Sequence, residues 1–535
     1  MRVASKRTVK FCFSSFIIYA LFLHWTGWAG HSIFDSARAL VDEGRLTIDS
    51  YADNNVDRLL INGHYYSNKP IGATLLATPS YALWKWIYTH TFPKSFRDRD
   101  LASTTKFPSQ WYASVSIYDR LSLFERLGRV FVTLCSSTLL GLLTMWLVHR
   151  FAGRLGANEQ DQLLLAVTFG FGTSVFYTAT GLYQDAMGML FCFWGFYLLF
   201  QANQTRRVVL VLWSGIVTGF SIAVSLWGIL AVPAYLIYLA MGGHARKTPL
   251  FLLGSFIGVS PQLLYHYALT GNPWLAVFVH QDREIWTASM QTLGFKLQLE
   301  NLIYIIPQVL LFPSRGLFFY SPILLLSWVG IVRMFKPYRA ETITILIVFV
   351  LCVLGNASMR TWWGGDFGSR YSLSLIPFLT LPLVYVVRKN RRLFFVLLVY
   401  SILVNLSSTQ LDAYARLPVT DRESDYAHML EKAKGGVISN PVYEECLPRL
   451  WKNGPGSRLL ESFTHDDDAF DLRLSRTSVM GFTPRDAIPW FTLHPVGFVS
   501  VKTRYLPVFL LVLVFSVLWA RELSAWLQRK LERSR

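Results

Sequence analysis

Charge is scarce in this sequence. Only 16% of the 535 residues are Asp, Glu, Lys or Arg, against 53% hydrophobic ones, and the mean hydropathy is +0.35. That balance excludes an ordinary soluble domain. Cysteine is scarcer still. Cys12, Cys135, Cys192 and Cys352 fall in apolar runs and Cys446 in a polar stretch, which offers no disulfide framework and no zinc-site spacing. Acidic residues number 33 against 51 basic, a formal charge of +18. The excess does not form a nucleic-acid face. Segments 31–125 and 409–505 are nearly balanced, with 10 basic to 10 acidic and 12 to 13, so the surplus lies in short connections between apolar runs. No nucleotide-phosphate loop, dinucleotide fingerprint, Ser/His/Asp constellation, internal repeat or heptad array is present, so a soluble nucleotide-sugar donor is not indicated.

What the chain has instead is apolar runs and aromatic residues: 18 Trp, 25 Tyr and 39 Phe, which suit belts at two membrane interfaces. Basic connections at 149–154, 206–207, 244–247, 333–339, 388–392 and 521–535 set the topology. If these and the N-terminus share the cytoplasmic side, an even number of spans separates each neighbouring pair. Spans at 11–30, 127–148, 162–181, 186–203, 208–224, 226–242, 249–268, 317–334, 341–358, 371–387, 393–409 and 505–520 satisfy that rule. The first is expected to be a retained signal anchor behind Arg2, Lys6, Arg7 and Lys10. Two more apolar stretches, 71–92 and 302–312, would break the parity. They are expected to lie along the outer face as juxtamembrane or re-entrant helices. The expected fold is therefore an all-α polytopic membrane protein of about 12 transmembrane helices. Residues 1–408 form its core, including a first extracytoplasmic loop at 31–125. A small mixed α/β extracytoplasmic region follows at 409–505, and 506–535 hold the last span and a basic tail.

The first loop carries the most chemistry. Asp35 follows directly on the first apolar run, Asp42, Glu43 and Asp49 come next, and then Tyr65, Tyr66 and Lys69-Pro70-Ile71-Gly72. A carboxylate can take a proton from a hydroxyl, and a lysine can hold a phosphate as a point charge. Beside a membrane, those two tools suit sugar transfer from a lipid-linked phosphate. The bland alternatives are a helix cap for Asp35 and snorkelling for Lys69. By the same topology, Asp185 stands at the outer end of a hairpin between two spans, where an acid can cap a helix or build a site. Arg315 in Phe312-Pro313-Ser314-Arg315-Gly316, and Trp362-Trp363-Gly364-Gly365-Asp366-Phe367-Gly368-Ser369-Arg370-Tyr371, also fall at outer span ends. There, arginines offer forks to phosphate, glycines let backbone N–H groups approach an anion, and Trp362 and Trp363 could stack on a sugar or merely anchor in the interface. His465-Asp466-Asp467-Asp468 is most simply a solvated face, and no metal is expected.

The order of these first-loop residues resembles the GT-C glycosyltransferases, especially protein O-mannosyltransferases and lipid A aminoarabinose transferases. Those families place an Asp or Asp-Glu soon after the first span, then a Gly-containing turn and a Tyr/Phe-x-x-Lys-Pro-Pro segment. Here Ser36 stands where the Glu would be and Ile71 where the second Pro would be. The resemblance implies an inverting transferase with an Asp general base, Asp35 with Asp42, Glu43 and Asp49 as rivals. It also implies a supporting role for Asp185, and phosphate or sugar contacts from Lys69, Tyr65, Tyr66, Arg315, Trp363, Asp366 and Arg370. The donor would be a polyprenyl-phosphate sugar and the acceptor a glycan, lipid or protein on the extracytoplasmic face of a bacterial plasma membrane. Besides the donor lipid no cofactor is implied. A polymerase or ligase of lipid-linked oligosaccharide shares this setting. A polyprenyl-lipid flippase would instead place charges deep in the spans and repeat one half of the chain.

The parity argument is open to direct test. Single cysteines placed at 244–247 or 388–392 should be shielded from an impermeant thiol reagent in intact cells, while cysteines in 31–125 should react. Labelling of 244–247 from outside would overturn the topology.

Overall fold

The computed structural model describes residues 6–24, 26, 28–54, 57–102, 122–274, 299–359, 361–364, 367–409, 426–453, 491–493 and 499–501. They form an all-α polytopic membrane protein, with strands confined to two small antiparallel pairs. Among the described residues, five helices are long and apolar enough to cross a membrane: Leu123–Arg154, Gln184–Thr205, Ala245–Thr270, Arg339–Ala357 and Arg391–Ser408. Shorter apolar helices at Val209–Val224, Leu226–Met241, Leu299–Leu310 and Pro322–Met334 fill in between them. The expected span at 505–520 lies outside the described residues.

Four expected spans are interrupted, among them 317–334, where Ser321 separates Leu317–Tyr320 from the helix that starts at Pro322. The first helix runs Lys6–Leu21 and stops, and a second begins at Trp28 and ends at Asp42. The stretch 11–30 is thus not one helix, and Asp35 sits in the middle of a separate helix. The stretch 162–181 breaks after Phe171 at Gly172 and restarts as Val175–Ala179. The stretch 371–387 is a chain of short turns, Arg370–Leu375, Ile376–Thr380 and Leu381–Tyr385, where Pro377 and Pro382 each remove a backbone donor. The stretch 71–92 does form a helix, Ile71–Thr91.

The first loop folds back on the bundle. Its hairpin pairs Arg58–Ile61 with His64–Ser67 around Asn62-Gly63, in the register Ile61 to His64 and Arg58 to Ser67. Both turn residues have positive φ, 52° and 81°, the conformation that a two-residue turn needs to match the strand twist and that Asn-Gly adopts at low cost. The helix Ile71–Thr91 then docks by its N-terminus. Pro70 precedes it, the Ile71 amide donates to Gln262 Oε1 at 2.9 Å, and Gly72 lies so close to Ala223 that a Cβ would stand 2.5 Å from its carbonyl oxygen.

The tightest helix crossing is between Val209–Val224 and Thr248–Thr270, and it rests on paired small residues. Gly215 and Gly219 on the first face Gly254, Ser255 and Gly258 on the second. A Cβ on Gly219 would come within 2.0 Å of the Ser255 carbonyl oxygen, and one on Gly258 within 2.0 Å of that of Ile216. Two small residues four apart on each helix let the backbones touch, the usual way helices associate where lipid gives no hydrophobic drive. Residues of the 409–505 segment that are described comprise the helix Tyr426–Lys434, the turn and helix from Val442 to Asn453, and the strand pair Phe491–Leu493 and Val499–Val501.

Gly219→Ile or Gly258→Leu should therefore force the two helices apart and cost about 1–3 kcal/mol. The readout is a lower thermal midpoint of the detergent-solubilised protein. Leu253→Ala, on the exposed face of the same helix, should change the midpoint little.

Candidate active site

Asp35 is completely buried at the centre of the helix Trp28–Asp42. Its Oδ1 accepts from Arg129 Nη2 at 3.3 Å, and the Arg129 guanidinium lies 4.4 Å over the Phe34 ring. Among the described residues, its Oδ2 has no hydrogen-bond partner. Burial pushes the Asp35 carboxyl up to about 6, against the opposing pull of Arg129 and then Arg38. On the same helix, His31 is held well below the usual imidazole range by burial and by the charge of Arg129. Arg129 went unnoticed in the sequence although a signal existed. It lies inside an expected span, where an ionisable residue is a functional hypothesis by default.

The three rival acids are engaged elsewhere, Glu43 with the Tyr51 hydroxyl. Asp42 accepts from Lys85 at 2.8 Å and from the Tyr81 hydroxyl at 2.8 Å, and lies 3.5 Å from Arg38, which is itself paired with buried Glu125. Asp49 is half exposed at the hairpin, accepting from the Tyr65 amide at 2.6 Å and bonded to His64 Nδ1 at 2.9 Å. Tyr65 itself lies under the Arg58 guanidinium, 4.2 Å away, and Tyr66 packs into the small cluster with Leu59, Ile61 and Tyr265. Lys69 is paired with Asp57, at 2.6 Å, and Asp57 also accepts from Asn68. Asp57 was not among the sequence candidates. Ser32, one turn before Asp35, donates to the Asp57 carbonyl and is bonded to Ser67, so the Lys69–Asp57 pair is fastened to the Asp35 helix.

Asp185 is a further buried carboxylate. It occupies the first turn of Gln184–Thr205, lies 3.3 Å from Arg370 Nε and accepts from Ser225 Oγ at 2.9 Å. Arg370 in turn lies over the rings of Tyr183 and Tyr371. The turn that carries Asp185 is clamped from the long helix Leu123–Arg154, whose turn Leu134–Thr138 is a π-helix. There Ser137 Oγ donates to the Tyr183 carbonyl and accepts from its amide, while Thr138 donates to Ala179. A π-turn inside a long helix frequently marks a functional position. Gly30, near the start of the Asp35 helix, abuts the Leu182 carbonyl, so the two carboxylate sites belong to adjoining elements.

Arg315 does something other than wait for phosphate. Its guanidinium donates to the carbonyls of Trp363, Ser314 and Gly364, fixing the Trp362–Gly364 turn. Trp362 is buried and Trp363 half-buried, their rings perpendicular at 5.7 Å. A narrow cleft with room for about one water opens between Arg315, these tryptophans, Arg370 and Tyr371. Asp366 and the acidic run at 465–468 lie outside the described residues. The structure thus brings Asp185 and Arg370 together and sets Arg315 and Trp363 beside them, while Tyr65, Tyr66 and Lys69 gather at the hairpin.

Residues 121–266 match the family model of dolichyl-phosphate-mannose-protein mannosyltransferases. The match begins at the end of the first loop, beyond its Asp35 and Lys69-Pro70 motifs, and spans Arg129, Asp185, Ser225 and Gln262, so the resemblance to GT-C glycosyltransferases is supported by a part of the chain separate from those motifs. No curated protein matches the sequence. Among solved structures the fold is similar to a crystal structure of ArnT from Cupriavidus metallidurans bound to undecaprenyl phosphate, at 12% identity and a TM-score of 0.48, over 86% of this chain and 76% of that one.

The Asp35 environment makes a pH prediction. If Asp35 must be ionised to act, activity is lost as pH falls through about 6, where its carboxyl protonates. Arg129→Gln removes the strongest opposing charge and should move this acidic limb upward by about one to three pH units, since a close cation shifts a carboxyl by that much. Arg129→Lys should keep most of the wild-type profile. A pH profile of kcat/KM unmoved by Arg129→Gln would separate Arg129 from the chemistry.

Proposed function

We propose that this chain is an integral membrane glycosyltransferase that moves a sugar from a polyprenyl-phosphate donor to an extracytoplasmic acceptor, with Asp35 as general base. The observation that carries this reading is the state of Asp35. It is a buried carboxylate with one oxygen on Arg129 and the other unpartnered among the described residues, while its rivals Asp42 and Asp49 are tied to cations, a tyrosine and a backbone amide. The family-model match over 121–266, whose description names a lipid-linked sugar donor, supports the same reading.

In the reaction, the acceptor oxygen attacks the anomeric carbon as its proton passes to Asp35. The bond from that carbon to the phosphate oxygen breaks, and the polyprenyl phosphate leaves as an anion. One displacement inverts the anomeric centre. A phosphate leaving group needs no proton, so the two-carboxylate arrangement of glycosidases is not required. It does need positive charge. Lys69 and Arg370 would supply it, with Asp57 and Asp185 holding them in place until the phosphate arrives. Arg315, whose donors hold three carbonyls, would shape the site and leave the phosphate to the other two.

Asp35→Asn keeps size and hydrogen bonding but removes basicity. It should cut turnover of a labelled polyprenyl-phosphate sugar by about 10²–10⁴ with donor binding nearly unchanged. Lys69→Ala should act mainly on donor affinity, weakening it by about 1–3 kcal/mol. Asp49→Asn should be mild in both assays. Normal turnover by Asp35→Asn would dismiss the base, and wild-type donor affinity in Lys69→Ala would dismiss the phosphate contact.

A further inference from the structure

The Lys69-Pro70-Ile71 segment is held from a helix distant in sequence. Pro70 stands at the start of Ile71–Thr91 and supplies no capping side chain, so the Ile71 amide must find its acceptor elsewhere. It finds Gln262, 191 residues away and 2% exposed, whose Oε1 accepts at 2.9 Å. On the other side of Lys69, the Tyr265 hydroxyl reaches the Ser67 carbonyl at 3.4 Å. Ser67 and Ile71 are thus both tied to the C-terminal part of Thr248–Thr270, with Lys69 between them.

A histidine one turn further along that helix orients Gln262. The Gln262 Nε2 lies 2.6 Å from His266 Nε2, and His266 Nδ1 lies 3.2 Å from the Pro273 carbonyl oxygen. A carbonyl only accepts, so Nδ1 carries the proton of the neutral ring and Nε2 is the acceptor. Gln262 must then turn its amide N–H to the histidine and its oxygen to Ile71. The opposite orientation would set donor against donor at Ile71 and acceptor against acceptor at His266. The relay from Pro273 through His266 and Gln262 to Ile71 therefore admits one arrangement.

That arrangement bears on Lys69. Asp57 holds its ammonium at 2.6 Å. A phosphate that takes the ammonium from Asp57 leaves the lysine placed by its backbone alone. A flexible four-carbon stem delivers its charge accurately only from a fixed Cα. We propose that Gln262 and His266 are positioning residues for the donor phosphate, acting through Lys69. The proposal rests on the reading of Lys69 as a phosphate contact and adds the residues that fix where that lysine stands. Gln262 and His266 themselves have no contact with the donor.

The test measures the affinity of the purified full chain in detergent for undecaprenyl phosphate, in wild-type and Lys69→Ala backgrounds. Gln262→Met keeps the length but offers no acceptor, and His266→Phe keeps a ring but neither nitrogen. With Lys69 present, each should weaken binding by about three- to tenfold, the scale of one hydrogen bond. His266→Gln, whose amide oxygen can still accept from Gln262, should recover most of that loss. In the Lys69→Ala background neither Gln262→Met nor His266→Phe should weaken binding further, because a residue acting through Lys69 has nothing left to place. Equal losses with and without Lys69 overturn the proposal, since they report a general loosening of the fold. So does wild-type affinity in both Gln262→Met and His266→Phe. Should Gln262→Met not be recovered as folded protein, the His266 variants decide, since they leave the Ile71 acceptor in place. Undiminished binding by Lys69→Ala alone removes the phosphate contact and the positioning role with it. A loss in Lys69→Ala with none in the other two variants removes the positioning role only, so the two failures are distinguishable.

Discussion

A charge taken out of water beside hydrocarbon must find an opposite charge or a set of hydrogen-bond acceptors, and that constraint organises this molecule. Moving a lone carboxylate or guanidinium into such surroundings is costly enough that each buried one comes with a partner. Asp35 pairs with Arg129 across 94 residues of sequence, Arg38 with Glu125 across 87, and Asp185 with Arg370. Each pair fastens a different segment to the bundle. The first two bind the Trp28–Asp42 helix to the long helix Leu123–Arg154, and the third binds the start of Gln184–Thr205 to the turn after the tryptophans. Removing one partner leaves the other stranded, so these pairs fix geometry more firmly than their net contribution to stability would indicate.

Around this frame, small residues and backbone caps set the distances. The helix Ile71–Thr91 can approach Ala223 only because Gly72 has no side chain, and its first amide is met by Gln262. That gives the Lys69-Pro70-Ile71-Gly72 motif a structural content of its own. Proline starts the helix, glycine permits the docking, and the lysine just ahead is carried to Asp57 at the hairpin. The Asn62-Gly63 turn aims the strand bearing Tyr65 and Tyr66.

Sequence patterns made the membrane bundle legible because hydropathy is local. The helices at 184–205, 248–270, 339–357 and 391–408 fall almost where apolar runs placed them. The breaks at Leu21 and Gly172 were not legible, since an apolar run looks the same whether or not its helix is continuous. The site divided along similar lines. Asp185 and Arg370 were both recognisable as polar residues at span ends, but not that they meet. Asp57 and Arg129 were missed because each acquires its meaning only from a partner distant in sequence or placed by the hairpin. The carbonyl contacts of Arg315 were not legible, because a guanidinium bound to carbonyls and one facing a phosphate leave the same letter in the sequence.

The burial of Asp35 bears on how the proposed reaction must proceed. A general base has to come within hydrogen-bond reach of the hydroxyl it deprotonates, yet Asp35 is 0% exposed. The Trp28–Asp42 helix is held on one side by Ser36 bonded to Thr74 of Ile71–Thr91, and on the other by Arg38 and Asp35 bonded to Glu125 and Arg129. Parting from the long helix would strand two buried ion pairs. Parting from Ile71–Thr91 would break a neutral hydroxyl contact and separate Asp42 from Tyr81 and from Lys85, an ion pair whose lysine is exposed. An exposed pair contributes little and is readily replaced by water. With Asp35 as the proposed base, an acceptor approaching between the two first-loop helices, where Ser36 and Thr74 meet, would part fewer buried charges than one approaching on the Arg129 side. It would still have to part Ile33, Phe34 and Ala37 from Ala73, Ala77 and Tyr81, which pack there.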